Sequence, residues 1–351
     1  MAKTIRFGLV GCGVIHSWHA EVLANLKEEA ELVAVCDVIE ERARKSAEKY
    51  GVAAYTDYAE MLKRDDLDAI AIGTPSGLHA DMGLAAVRSG RHVVVEKPID
   101  INLRKADELV RAAREAGVTL TSIAQNRFGK GTRKLREWLD EGKLGRIVYG
   151  ESTVKWYRSQ EYYDSGDWRG TWELDGGGAL MNQGVHYADL LRWAMGKPKT
   201  VFARAATMGH NIAAEDVVTA TLEFESGAIG TLTATTCAYP GYSTTLEVYG
   251  TEGSVRTANN ELVSAEFING EKYTADSLIV DTGSSDPRAI SHDGHTRQFR
   301  DFIAAIHEGR DPYITGEMGR DALELVLGVY LSAFSGKVVD FPLPPNTGGG
   351  Q

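Results

Sequence analysis

From Ile5 to about Ala124, short apolar runs alternate with longer segments of helical periodicity, the signature of a parallel sheet covered by crossover helices. Ile5 to Val10, Glu31 to Cys36, Ala69 to Gly73, His92 to Glu96 and Thr119 to Ala124 are rich in Val, Ile, Ala and Leu and read as strands. Glu40 to Tyr50, Ala80 to Ser89 and Leu103 to Ala116 read as the intervening helices, stopped by Gly51, Gly90 and Gly117. An α/β first domain over residues 1–125 is the expectation.

After Ala124 the rhythm changes. One amphipathic helix, roughly Thr132 to Glu141, leads into an aromatic and glycine-rich stretch. The extended segments Thr200 to Ala206, Asp216 to Glu225, Ile229 to Thr236, Thr244 to Gly250 and Ser254 to Thr257 follow, as in an antiparallel sheet. Helices over Thr296 to His307 and Gly319 to Ser335 close the chain, and Pro342 to Gln351 reads as a frayed tail. At 351 residues the chain suits two domains. The second, an α+β domain, is expected over 126–351, with a natural cleft between the two.

Ile5 to Val10 runs into Gly11-Cys12-Gly13-Val14-Ile15-His16 and then a helix beginning near Ser17. Strand, glycine turn and helix in that order cradle a pyrophosphate on backbone amides. His16 replaces the third glycine and is expected to loosen the packing of helix on strand or shift the pyrophosphate. Asp37, just over 20 residues after the turn, is placed to bond the adenosine ribose hydroxyls, and its charge disfavours a 2'-phosphate, so NAD is expected over NADP. A plain tight turn with a solvated acid is the alternative, and the ordered context argues against it.

Glu96-Lys97-Pro98 ends an apolar strand, where sheets of this kind bind ligands. A partly desolvated lysine there can hydrogen-bond a substrate hydroxyl and stabilise the oxygen charge that develops as hydride leaves the carbon. The run Gly176 to Leu191 is a glycine-rich approach to a helix on which Asn182 and His186 lie four apart on one face. With an ordinary pKa of about 6.5, His186 can accept the hydroxyl proton. Asn182 can orient the substrate or the imidazole.

Gly11-Cys12-Gly13, Thr74-Pro75, Glu96-Lys97-Pro98, the Gly178 to Leu191 block and the closing helices together resemble the glucose-fructose oxidoreductase and inositol dehydrogenase (Gfo/Idh/MocA) family over nearly the whole chain. The resemblance implies a Rossmann domain followed by an open-faced, mostly antiparallel sheet for substrate binding and oligomer contacts. It implies catalytic roles for Lys97 and His186, with Asn182 beside them. Many members carry Asp four residues before the histidine. Here Asn182 removes a carboxylate relay, so Lys97 and His186 must share the proton work. The expected cofactor set is Gly11, Gly13, Val14, Ile15, Asp37, Thr74, Pro75, His79, Glu96 and Lys97.

Trp168-Arg169-Gly170-Thr171-Trp172-Glu173, followed by Gly176 to Gln183, resembles members that oxidise C3 of nucleotide-linked N-acetyl sugar acids. Trp156, Tyr157, Tyr162, Tyr163, Trp168 and Trp172 crowd around Arg158 and Arg169, a combination suited to a sugar bearing a carboxylate or phosphate. Aromatic core with surface arginines is the competing reading. Expected substrate-binding residues are Asn126, Arg127, Tyr157, Arg158, Trp168, Arg169, Asn182, Gln183 and His186.

The remaining features narrow the class. Thirty-eight Lys and Arg against 49 Asp and Glu give a net charge of -11, which disfavours nucleic acid and anionic lipid as partners. The chain opens without a signal-peptide h-region, and no apolar run approaches the ~20 residues that span a bilayer. Cys12, Cys36 and Cys237 are too few for a disulfide framework and read as structural thiols of a cytoplasmic protein. His292-Asp293-Gly294-His295 lacks further evident ligands, and helix capping accounts for it, so no metal is expected. The reading is an NAD-dependent dehydrogenase oxidising a secondary hydroxyl of a sugar, sugar acid, nucleotide-linked sugar or cyclic polyol, as a homodimer or homotetramer. The alternatives are an NAD-recycling glycosidase or redox-neutral oxidoreductase that retains its NAD, and a non-catalytic dinucleotide sensor.

Overall fold

A computed structural model describes residues 3–275 and 292–348. The chain divides into two compact units, one of residues 3–125 with His292–Arg320, the other of 126–275 with 321–348. Residues 292–320, expected in the second domain, therefore belong to the first.

The first unit holds strands β1 (Ile5–Val10), β2 (Ala30–Cys36), β3 (Ala53–Tyr55), β4 (Ala69–Ile72), β5 (His92–Val95) and β6 (Leu120–Ser122). Helices α1 (Val14–Asn25), α2 (Glu40–Tyr50), α3 (Tyr58–Leu62), α4 (His79–Arg88) and α5 (Leu103–Ala116) alternate with them. All strand pairs are parallel, in the order β3-β2-β1-β4-β5-β6. The order reverses at β1, so the carboxyl ends of β1 and β4 flank the crevice where such sheets bind ligands.

The second unit contributes α6 (Lys130–Asp140), β7 (Ile147–Lys155), α7 (Gln160–Asp164), α8 (Val185–Met195), β8 (Pro198–Ala206), β9 (Val217–Phe224), β10 (Ile229–Thr235), β11 (Thr245–Gly250), β12 (Gly253–Ala258), β13 (Glu261–Phe267) and β14 (Lys272–Thr274). Then come α9 (Asp293–Glu308), which lies in the first unit, α10 (Gly316–Ser335) and β15 (Val339–Asp340). The nine strands run β14-β13-β12-β11-β7-β10-β9-β8-β15, with β7 and β10 parallel and the other neighbours antiparallel. Val201, Leu222, Leu232, Val154 and Leu246 are buried on one face, while Phe202 and Ile229 stand exposed on the other. That alternation is the mark of a half-covered sheet.

Helix α9 joins the first unit because its apolar stripe completes that core. Phe299 and Phe302 pack on Phe7 at 5.9 and 6.2 Å between ring centroids, and burying each contributes on the order of 2 kcal/mol. Gln298 locks the helix to β6, accepting from Ala124 N at 3.0 Å and donating to Ser122 O at 2.8 Å. After α10, β15 pairs with β8, and within the stretch expected to be a frayed tail Leu343 is buried and donates its amide to Glu324 Oε1 at 2.9 Å. Residues 349–351 lie outside the described chain.

Candidate functional site

The turn after β1 is fixed by its own backbone. Gly11 has φ +88°, and a Cβ there would lie 2.6 Å from the Gly73 carbonyl oxygen, so only glycine fits. Gly13 caps α1 with open space where a Cβ would stand, and no side chain caps the first turn of that helix. Val14 is exposed, and Ile15 packs on Gly73. Helix-start amides facing open space beside a glycine turn suit a pyrophosphate. The His16 side chain is buried and lies 2.5 Å from Ser46 Oγ on α2, and burial lowers its pKa to about 4.

Asp37 ends β2 and braces the same turn: its carboxylate accepts from Cys12 N and Ile39 N, each at 2.8 Å. A carboxylate has lone pairs beyond these two bonds for ribose hydroxyls. Val38 is 89% exposed and Ile39 44%, an apolar edge suited to an adenine ring. After β4, Thr74 Oγ1 is buried without a partner among the described residues, and Pro75 precedes a short 3₁₀ turn. An orphaned hydroxyl, an uncapped helix start and a carboxylate beside an apolar edge fit a dinucleotide.

Glu96 and His79, both expected at the cofactor, are buried and bonded within the first unit. His79 is fully buried, with Nδ1 2.7 Å from Pro98 O and Nε2 2.9 Å from Thr74 O, so it ties the two loops together; burial lowers its pKa. Glu96 Oε1 lies 2.9 Å from His19 Nε2 and 3.8 Å from His295 Nε2, and Oε2 accepts from Lys97 N at 3.1 Å. Burial alone would raise the Glu96 carboxyl, but the His19 bond and nearby positive charge, including Lys97, outweigh it and hold the acid well below its usual range. His295 is pushed down to about 4 by burial. Lys97 is half-buried and leads into a cis peptide bond at Pro98. The capping explanation of residues 292–295 needs amending. His292 precedes α9 without a side-chain cap and packs against Trp18, while His295 joins His19 and Glu96. No local sequence signal joins those three residues: His19 and Glu96 lie 77 positions apart, and Glu96 and His295 lie 199 apart.

In the second unit, residues Ala179–Gly184 form a π-helical segment that leads into α8. Asn182 sits in the π segment and His186, half-buried, in α8, rather than both on one regular α-helix. Asn182 Nδ2 donates to the buried Asp175 at 2.8 Å, and Asp175 also accepts from Gly170 N at 2.9 Å. Asp175 was not foreseen. It fixes the amide orientation of Asn182.

Arg158, Arg169, Trp156, Tyr162, Trp168 and Gln183 come together. The Arg169 guanidinium carbon lies 4.4 Å from the Tyr162 ring centroid and 4.6 Å from that of Trp168, and Nη1 donates to Tyr162 Oη at 2.8 Å. Gln183 Nε2 donates to the same hydroxyl at 3.1 Å. Arg169 Nε and Gln183 Oε1 are buried and have no partner among the described residues. Arg158 is buried with its guanidinium over Trp156 at 4.9 Å, which is not the surface arginine of the competing reading. Tyr157 packs edge-on against Tyr239 and accepts, through its carbonyl, from Arg158 Nη1.

Arg127, expected at the substrate, is buried, pairs with Asp189 and lies over Trp193 at 5.5 Å. Asn126 is half-buried, and its carbonyl accepts from Thr132 Oγ1 at 2.7 Å. Burial raises Cys12 to about 12 and both Cys36 and Cys237 to about 11, which keeps all three as thiols. Among the described residues, no helix is long and apolar enough to cross a membrane.

Residues 5–123 match the model of an oxidoreductase family with an NAD-binding Rossmann fold, and residues 132–256 match a GFO/IDH/MocA C-terminal domain. The WlbA dehydrogenase from Bordetella pertussis, solved with NADH and UDP-GlcNAcA, is 34% identical, with a TM-score of 0.86 over 97% of this chain and 100% of that one. The WlbA dehydrogenase from Chromobacterium violaceum, solved with the same two ligands, is also 34% identical, with a TM-score of 0.86 over 98% and 97%. Myo-inositol 2-dehydrogenase from Thermotoga maritima is 28% identical over 333 residues, 92% of this chain and 94% of the relative. The chain belongs to the Gfo/Idh/MocA family of NAD-binding oxidoreductases.

Proposed function

We propose that the protein oxidises a secondary hydroxyl of a nucleotide-linked sugar acid with NAD. The observation that carries the substrate class is Arg169, a guanidinium 4.4 and 4.6 Å from the centroids of two aromatic rings and bonded to Tyr162 Oη. Those contacts fix the orientation of a group whose planar donors recognise carboxylates. Likeness to two dehydrogenases solved with UDP-GlcNAcA supports a sugar acid over a neutral polyol.

Bound NAD supplies the hydride acceptor. In this proposal the Lys97 ammonium donates a hydrogen bond to the reacting oxygen and stabilises its developing negative charge. The His186 imidazole takes the hydroxyl proton. Asn182, with its NH₂ committed to Asp175, presents its carbonyl oxygen toward donors and keeps the π segment in place. Gly11, Gly13, Val14, Ile15, Asp37, Thr74 and Pro75 hold the dinucleotide, with His79 and Glu96 behind them. Cytoplasmic residence is supported by three free cysteines, and a homodimer or homotetramer by the exposed Phe202 and Ile229 of the open sheet face.

Absorbance at the NADH band, with NAD and UDP-GlcNAcA, UDP-GlcNAc or myo-inositol, tests this reading. A rise with UDP-GlcNAcA well above the other two is expected. Turnover of myo-inositol alone would replace the sugar acid with a neutral polyol, and no NADH from any of them would remove the reading.

A further inference from the structure

The glycine run before the His186 helix is dictated by two groups from elsewhere in the second unit. A Cβ on Gly178 would lie 1.7 Å from the Glu215 carbonyl oxygen, and one on Gly177 would lie 2.2 Å from Tyr330 Oη. These glycines make room for protein rather than for ligand.

The same two residues take the amides that a helix start leaves open. Glu215 Oε2 accepts from Gly178 N at 2.8 Å and Oε1 from Leu180 N at 2.7 Å. Its backbone carbonyl accepts from Ala179 N at 2.9 Å. Tyr330 Oη accepts from Met181 N at 3.0 Å and donates to Glu215 Oε1 at 3.0 Å. The amides of residues 178 to 181 thus all end on one glutamate and one tyrosine, both buried. Among the described residues Glu215 has no cationic partner, so its acceptors are matched by amides and a phenol alone. A carboxylate so deeply buried is costly unless every oxygen is met, and here both are.

We propose that Glu215 and Tyr330 form a brace that holds the π-helical turn so that Asn182 and His186 are presented to the substrate. The pair are positioning residues, and the proposal rests on the reading of His186 as the proton acceptor. The brace meets the first turn of the π-helical segment that leads into α8; such segments recur at functional sites. Burial, opposed by the two amides and the phenol, brings the Glu215 carboxyl up to about 7, consistent with a group held by directional bonds rather than by a counter-charge.

The test uses the full-length protein carrying Tyr330→Phe, which keeps the ring, Glu215→Gln, which keeps the size but turns one acceptor into a donor, and His186→Ala as a control. Hydrogen exchange of the segment 176–190, NADH affinity and steady-state kinetics are measured on each. We expect both brace variants to exchange faster at residues 180 and 181, and to lose about ten- to a hundredfold in kcat. NADH affinity should stay within twofold, and the double variant should fall no further than the worse single one, because the pair acts as a unit. His186→Ala should lose turnover with wild-type exchange. Tyr330→Phe, the milder change, decides if Glu215→Gln does not fold. Wild-type exchange in Tyr330→Phe, or faster exchange with unchanged kcat, overturns the proposal. A wild-type protein that turns over no sugar or polyol overturns the functional reading and the catalytic half of this one, while exchange still decides whether the brace exists.

Discussion

Arg127 and Asp189 are joined by two hydrogen bonds, Nε to Oδ2 at 2.8 Å and Nη2 to Oδ1 at 2.5 Å, with both side chains almost wholly withdrawn from solvent. Neither charge has enough exposure to be left alone. Asp189→Ala should therefore destabilise the protein by about 3–5 kcal/mol, the usual cost of orphaning a buried ion. Replacing both residues together, Arg127→Met with Asp189→Leu, should recover most of that loss. Urea unfolding of the single and double variants checks this; an additive loss in the double variant would speak against a mutual pair.

Arg169 should decide substrate charge. Arg169→Met removes a charge-assisted hydrogen-bond donor worth ~1.5–3 kcal/mol, and so should raise KM for UDP-GlcNAcA by roughly ten- to a hundredfold. UDP-GlcNAc, which lacks the carboxylate, should be affected no more than twofold. Equal losses for both substrates would place Arg169 in packing rather than recognition.

Asp37 should decide the dinucleotide. In Asp37→Ser the repulsion of a 2'-phosphate is gone and the ribose acceptor is shortened, so the preference for NAD over NADP in kcat/KM should fall about tenfold or more. The Cys12 and Ile39 amides lose their acceptor as well, so NAD affinity itself should drop. An unchanged preference would remove Asp37 from cofactor choice.

His295 makes stability depend on pH in a defined direction. Its pKa is lowered to about 4 in the fold, against ~6.5 unfolded, so between those values the unfolded chain holds a proton that the native chain does not, and stability falls as pH falls. Relative to His295→Gln, the wild type should lose roughly 2.4 kcal/mol on going from pH 7 to pH 4.5. Denaturant midpoints at the two pH values measure it, and a difference independent of pH would mean that His295 is not buried neutral.

The first unit was largely legible because all its strands except β3 are short apolar runs bounded by turn residues, and because the turn at Gly11 and its brace at Asp37 are set by local geometry. Strand β7 was missed: Gly150, Glu151 and Ser152 interrupt its apolar pattern, and Gly150 is there because Met195 packs where a Cβ would stand. Helix α9 was found but given to the wrong unit, since nothing in its periodicity says that Phe299 meets Phe7. The pairing of Arg127 with Asp189 was hidden for the same reason, the two lying 62 residues apart. The glycine run at Gly176 was correctly read as leading into the His186 helix, whereas its cause, Glu215 and Tyr330, became visible only in the fold.

Lys97 carries the central claim, and single-site replacement tests it most directly. Turnover of UDP-GlcNAcA and binding of NADH should be measured side by side on the wild type and Lys97→Ala. We predict wild-type NADH affinity with turnover lowered by ~10² to 10⁴, the usual contribution of a general acid-base group. A Lys97→Ala protein that oxidises the substrate at the wild-type rate would contradict the account.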